Sequence, residues 1–191
     1  MMADAVMDQH PDDLPVPEDD GAADHLARSR LPSLTLQATS GEIDLAGLDG
    51  TVVIYCYPMT ATPGQALPAD WDQIPGARGC TPQSCAFRDH ATELRDAGVD
   101  RVIGISMQSL EELTEAKDRL GLPYDLASAS DGRLARALDL PTFEADGQTC
   151  LKRLTIVARD GVIAKVFYPV FPPDRNATDV LGWLKSGQRL T

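Results

Sequence analysis

Long apolar runs are missing from this chain. No segment approaches the ~18 apolar residues of a membrane-spanning helix. The start, Met1 through Asp8, lacks both a basic region and an apolar core, so it does not read as a secretory signal. Basic residues are scarce: 17 Lys and Arg face 29 Asp and Glu, a net charge of -12. That balance argues against a nucleic-acid partner and against an anionic membrane surface. Internal repeats are absent, and so is the C-x-x-C pair of thioredoxin-like reductases. A zinc centre built on cysteine would need a second ligand pair, and only His90 lies near enough to contribute. With no leader to export it, the protein is expected in the cytoplasm. There its four cysteines, Cys56, Cys80, Cys85 and Cys150, are read as catalytic, redox-sensing or metal-binding before they are read as a structural disulfide framework.

What is present fits one domain with an appendage. Residues 1–28 are rich in Asp, Glu, Pro and Ala and read as a disordered acidic tail, because they bring little large apolar surface to offset their ordering entropy. From residue 29 the texture changes to a folded domain. Leu34–Gln37 and Glu42–Leu45 are short strand patterns around a Ser40-Gly41 turn. Thr51–Tyr57 is a near-continuous β-branched and aromatic run, the mark of a strand buried on both faces. A long Pro- and Gly-punctuated loop follows, from Pro58 to Gly79, and loops of that length in compact domains tend to be functional or disordered. Trp71 makes this loop a candidate cover for a site.

The pattern then predicts a helix over Cys80–Ala97 stopped by Gly98, a strand over Val102–Ser106, and a helix over Ser109–Leu120 opened by a Ser109/Glu112 capping box. A short strand at Tyr124–Leu126 and a short helix at Asp131–Leu138 come next. Leu151–Ala158 and Val162–Phe167 form a hairpin about Asp160-Gly161, and a last helix starts at Asn176 or Thr178. The whole is an α/β fold with a mixed central sheet covered by helices.

Chemistry concentrates in Gly79-Cys80-Thr81-Pro82-Gln83-Ser84-Cys85-Ala86-Phe87-Arg88-Asp89-His90. Cys80 falls in the first turn of a helix, where unpaired amides and the positive end of the helix dipole favour a thiolate, the reactive form of sulfur. Pro82 comes early enough to be tolerated. Positions five apart on an ideal helix have Cα atoms on the order of 8.5 Å apart, beyond the ~7 Å limit for a disulfide. Cys80 and Cys85 can therefore bridge only if the first turn unwinds. Cys56, inside a strand, and Cys150, at a hairpin edge, read as packing.

With these residues in place, the chain from about Leu31 to Leu184 resembles the peroxiredoxins, thioredoxin-fold thiol peroxidases, and within them the Q-type, bacterioferritin-comigratory branch. In that family a strand runs into Pro-x-x-x-Thr-Pro-Gly-Cys and a helix begins at the cysteine. Tyr57-Pro58-Met59-Thr60-Ala61-Thr62-Pro63-Gly64 looks like that lead-in, but Gln65 stands where the cysteine should be. Residues 65–79 read as an insertion before Cys80. Counting back directly from Cys80 puts Ala77 at the family's threonine, so that hydroxyl comes from Thr62 or is missing. Arg153-Leu154-Thr155-Ile156-Val157 resembles the family's later arginine-bearing strand, with Lys152 on the opposite face.

The resemblance implies a thiol peroxidase for hydrogen peroxide or organic hydroperoxides. Cys80 would attack the O–O bond, Arg153 and Thr62 would donate to the peroxide oxygens, and Cys85 would resolve the sulfenic acid as an internal disulfide. Thioredoxin or a glutaredoxin would restore both thiols. No metal, flavin or nucleotide cofactor is implied, and monomer and homodimer both stay open. Two other readings use the same residues: a redox-sensing disulfide switch without fast turnover, and a disulfide reductase, which the missing C-x-x-C disfavours.

Overall fold

The computed structural model describes residues 14–187. Its main sheet has seven strands in the order β2-β1-β5-β4-β3-β8-β9. These are β1 (Thr35–Ala38), β2 (Gly41–Asp44), β3 (Thr51–Cys56), β4 (Arg101–Ser106), β5 (Asp125–Ser128), β8 (Leu154–Arg159) and β9 (Val162–Phe167). β3, β4 and β5 run parallel, whereas β1 is antiparallel to β5 and β8 to β3. The parallel core has helical crossovers, α1 (Cys80–Asp89) with α2 (Ala91–Asp96) and then α3 (Leu110–Leu120). α4 (Arg133–Leu138) and α5 (Asn176–Lys185) complete the α-helices of the described residues. This is the thioredoxin-like arrangement expected.

Alternation along β3 divides the interior in two. Val52, Ile54 and Cys56 face a core closed by Leu134 and Leu138 of α4 and by Leu26 and Leu31, while Val53, Tyr55 and Tyr57 face a core closed by Phe87, Leu94, Leu113 and Val180 from the other four helices. Cys80 belongs to the second core. The strand is buried on both faces because helices cover both, as its unbroken apolar pattern required. Gly104 of β4 is needed there: a Cβ would come within 2.6 Å of the Tyr55 ring and of Leu126.

Three expectations change. The helix expected over residues 80–97 is two helices meeting at His90, which caps both. A second sheet, the hairpin of β6 (Thr142–Ala145) and β7 (Gln148–Leu151), has no counterpart in the sequence reading. The acidic tail expected over residues 1–28 lies outside the described residues up to Asp13, but from Asp20 the chain is docked. Ala23 and Leu26 are buried, Asp20 bridges Lys152 Nζ (2.9 Å) and Tyr168 Oη (2.8 Å), and Arg30 pairs with Val162 of β9. A few well-placed apolar side chains and one ion pair anchor this arm, which composition averaged over 28 residues conceals.

Candidate active site

Cys80 opens α1 beyond the carboxyl end of β3, where α/β sheets gather their ligands. Gly79, the residue before it, has φ +105°, a conformation that L side chains rarely adopt, and this sharp entry swings Cys80 inward. The thiol is nearly buried, at 4% exposure. It donates to the Ala77 carbonyl (3.6 Å) and receives a hydrogen bond from Arg153 Nη2 (3.2 Å). A guanidinium is always charged, so any negative charge on the sulfur meets a fixed positive partner in a dry site.

Arg153 is itself held through both Nη atoms. Nη2 also reaches the carbonyls of Gly76 (3.2 Å), Ala77 (3.1 Å) and Arg78 (3.2 Å), and Nη1 donates to Gln83 Oε1 (2.5 Å). Gln83 Nε2 donates onward to Asn176 Oδ1 (2.9 Å), which also accepts from Thr155 Oγ1 (2.6 Å). One buried network thus runs from β8 through the start of α5 and the first turn of α1 to the sulfur. It fixes the guanidinium plane before any substrate arrives.

Lys152 points outward to Asp20, so the alternation expected of this basic pair holds. The contact is exposed, and together with the Tyr168 hydroxyl it holds the Asp20 carboxyl down at about 2.

Cys85 lies one and a half turns along the unbroken helix, half-buried. Burial is the main reason its thiol is raised above the ordinary 9.0, with Arg88 pulling the other way. All four cysteines are free thiols. Burial pushes Cys56 up to about 12 and Cys150 up to about 11, and the charge of Cys80 adds to the second. Cys56 is core, as expected. Cys150 packs in the small core that holds Ala77, the residue whose carbonyl meets Cys80, which its place in the sequence did not suggest.

Thr62 is not part of this cluster. The partners of Cys80 Sγ among the described residues are Ala77 and Arg153, and the hydroxyl of Thr62 reaches neither the sulfur nor Arg153. The lead-in is tied instead toward α3: Thr60 and Gln108 share three hydrogen bonds (2.8, 3.1 and 3.1 Å), and the Ala61 carbonyl accepts from Arg119 Nη2 (2.9 Å). The insertion returns the chain to the site by another route. Trp71 is buried against Phe143 (ring centroids 5.9 Å) in a small core with Ala77, Ala145 and Cys150, and Asp146 accepts from the Ala69 amide (2.8 Å). The β6–β7 hairpin is therefore the seat of the insertion. Trp71 anchors it there, and the residue delivered beside Cys80 is Ala77.

Sequence reasoning also missed Gln83 and Asn176. A usable signal existed for Gln83, three residues from Cys80 and four from Phe87, on the helix face that must point inward. Asn176, far away in the chain, offered none.

The Redoxin family model matches residues 26–181. The chain belongs to the Redoxin family. It is 30% identical over 160 residues to the peroxiredoxin Bcp of Escherichia coli, covering 81% of this chain and 92% of that protein. With the chloroplastic peroxiredoxin Q of Suaeda salsa it shares 29% over 157 residues, which is 81% of this chain but 65% of that longer protein. Among solved structures, the bacterioferritin comigratory protein of Xanthomonas campestris, studied for its alkyl peroxide reduction activity, superposes with a TM-score of 0.65 at 25% identity, over 84% of this chain and 98% of that one. The redoxin is thus homologous to the Q and Bcp peroxiredoxins, as the cysteine helix implied. No helix among its described residues is long and apolar enough to cross a membrane.

Proposed function

We propose that this redoxin is a thiol-dependent peroxidase acting on hydrogen peroxide or organic hydroperoxides. The observation that carries the reading is the buried Cys80 sulfur at a helix N-terminus with Arg153 Nη2 3.2 Å away on a guanidinium braced through both Nη atoms. The names of the Bcp and peroxiredoxin Q relatives, and the alkyl peroxide activity of the Xanthomonas protein, support the same chemistry.

The Cys80 thiolate attacks one oxygen of the hydroperoxide. An S–O bond forms and the O–O bond breaks, sulfur is oxidised to the sulfenic acid, and the other oxygen leaves as water or an alcohol after taking up a proton. Arg153 stabilises the charge that moves onto the leaving oxygen. Cys85, as thiolate, then attacks the sulfenic sulfur. An S–S bond forms and hydroxide departs as water. Because α1 is intact from Cys80 to Asp89, this second step requires the first turn to open, breaking the hydrogen bond from the Gln83 N–H to Gly79 O (3.1 Å) and both Gln83 side-chain hydrogen bonds. A dithiol reductant of the thioredoxin or glutaredoxin kind would return both thiols by exchange. The scheme needs Cys80 and Cys85 returned to thiols, which a reducing compartment such as the cytoplasm supports.

Intact mass after one equivalent of peroxide tests the scheme. The parent should lose about two hydrogens, and Cys85→Ser should gain about one oxygen on Cys80. An oxygen adduct on the parent would make Cys85 a bystander, and no change in either protein would sink the peroxidase reading. A redox switch without fast turnover is the second reading. The near-complete burial of Cys80 and the raised Cys85 thiol favour it, and slow, stoichiometric oxidation under excess reductant would select it.

A further inference from the structure

Two donors in the buried surroundings of Cys80 have no acceptor. One is Nε of Arg153, on the same guanidinium that donates to the sulfur. The other is the hydroxyl of Tyr57. Tyr57 follows β3 directly, is 0% exposed, and lies in the packed cluster that holds Cys80, Tyr55 and Phe87. Its phenol is within electrostatic reach of both Cys80 and Arg153.

The neighbouring tyrosine shows that the unpaired hydroxyl is a property of this position. Tyr55, whose ring stacks on Tyr57 at 5.4 Å, spends its hydroxyl on Ser84 Oγ (3.0 Å) and Tyr124 Oη (3.0 Å), and so braces α1. Tyr57 braces nothing. Thr60 lies close to it but outside hydrogen-bond geometry, and the Thr60 proton is given to Gln108 Oε1 (3.1 Å). Buried polar groups are almost always paired, and an orphan in a native interior calls for an explanation. Two orphan donors around one reactive sulfur call for a ligand with acceptor oxygens.

We propose that Tyr57 is a catalytic residue whose hydroxyl donates a hydrogen bond to the bound hydroperoxide, holding its O–O bond against Cys80 Sγ together with Arg153. The proposal rests on the peroxidase reading above and supplies the hydroxyl that Thr62 does not bring. In the step, sulfur gains the S–O bond, the O–O bond breaks, and the proton lost from the thiol ends on the leaving oxygen. Tyr57 keeps its own proton throughout, because burial raises its phenol well above the ordinary 10.0. It acts as a donor at every working pH.

Tyr57→Phe removes one oxygen and leaves the ring. In the full chain, stopped-flow oxidation of Cys80 by hydrogen peroxide and by tert-butyl hydroperoxide should slow about 10- to 100-fold. Alkylation of Cys80 by iodoacetamide, which needs no peroxide, should stay within about twofold, and Tm should hold or rise because a buried orphan is gone. Oxidation at the parent rate overturns the proposal. So does an alkylation rate that falls in step with oxidation, since the loss would then act through the sulfur. Thr60→Val is the control: an equal slowing there assigns the effect to the Thr60–Gln108 pair and also overturns it. A parent that forms no sulfenic acid on Cys80 sinks the peroxidase reading itself, whereas a reactive parent with an equally reactive Tyr57→Phe sinks this inference alone.

Discussion

Cys80 and Cys85 stand on one helix, yet their surroundings have little in common. Cys80 is nearly buried, touches a guanidinium, and sits in a network that reaches α5 and β8. Cys85 is half-buried, its thiol raised by partial burial, with no hydrogen bond drawn to it. The difference fits the proposed division of work. A sulfur that must meet a peroxide needs fixed charge around it, whereas one that must later move needs freedom. On the proposed scheme, the same bonds that brace the Cys80 end hold the first turn shut, so they oppose the step that would bring the two sulfurs together.

Removing the sulfur at each end gives the largest contrast. Cys80→Ser should abolish peroxide consumption. Cys85→Ser should leave the first oxidation of Cys80 within about threefold and end recycling by a dithiol reductant, measured as steady-state turnover against single-turnover rate. Arg153→Lys comes next. Lysine keeps the charge but has neither the fork nor the reach to engage Gln83, the loop carbonyls and the sulfur at once, so peroxide oxidation of Cys80 should fall about 100-fold. Gln83→Ala should cut both ways. Oxidation slows about tenfold as Arg153 loses its brace, stability falls by about 1–2 kcal/mol, and disulfide formation from the sulfenic acid speeds up as the first turn loosens. A slower disulfide step would break the opposition between the two ends.

Titration sharpens the comparison further. Because the Cys85 thiol is raised, its thiolate is scarce near neutrality, so the disulfide step should accelerate as pH rises toward and past the ordinary 9.0. Cys150 and Cys56, at about 11 and about 12, should resist iodoacetamide in the folded protein at pH 8 and react only after denaturation. The same raised values cost stability in alkali. An unfolded Cys56 ionises near 9.0 while the folded one stays neutral, so stability is complete below about 9 and lost as pH climbs toward about 12. Urea midpoints at pH 8 and 10.5 should therefore diverge less in Cys56→Ala than in the parent. The smallest effect is expected at the edge of the molecule. Lys152→Ala breaks an exposed pair with Asp20 and should barely move Tm, and a large drop would mean that the N-terminal arm stabilises the domain more than its contacts suggest.

Much of this was legible along the chain. The β-branched run at Thr51–Cys56, the capping box at Ser109, the Asp160-Gly161 turn and the cysteine helix are local patterns, and local physics is written where it acts. Alternation implied that one of Lys152 and Arg153 faces inward, and the fold made it Arg153. The sequence by itself therefore determined the fold class, the family and the placing of Cys80 at the start of a helix, on which the proposed chemistry rests. Tertiary structure alone decided what surrounds it. Thr62 stands in the family's lead-in, yet Thr60–Gln108 and Ala61–Arg119 bonds hold that segment toward α3, and the insertion seated on Phe143 delivers Ala77 instead. Asn176 reaches Gln83 across 93 positions, and the Tyr57 hydroxyl is left unpaired inside the core that holds Cys80. Periodicity reports which way a side chain faces, but hydrogen bonds between distant segments exist only once the chain has closed on itself.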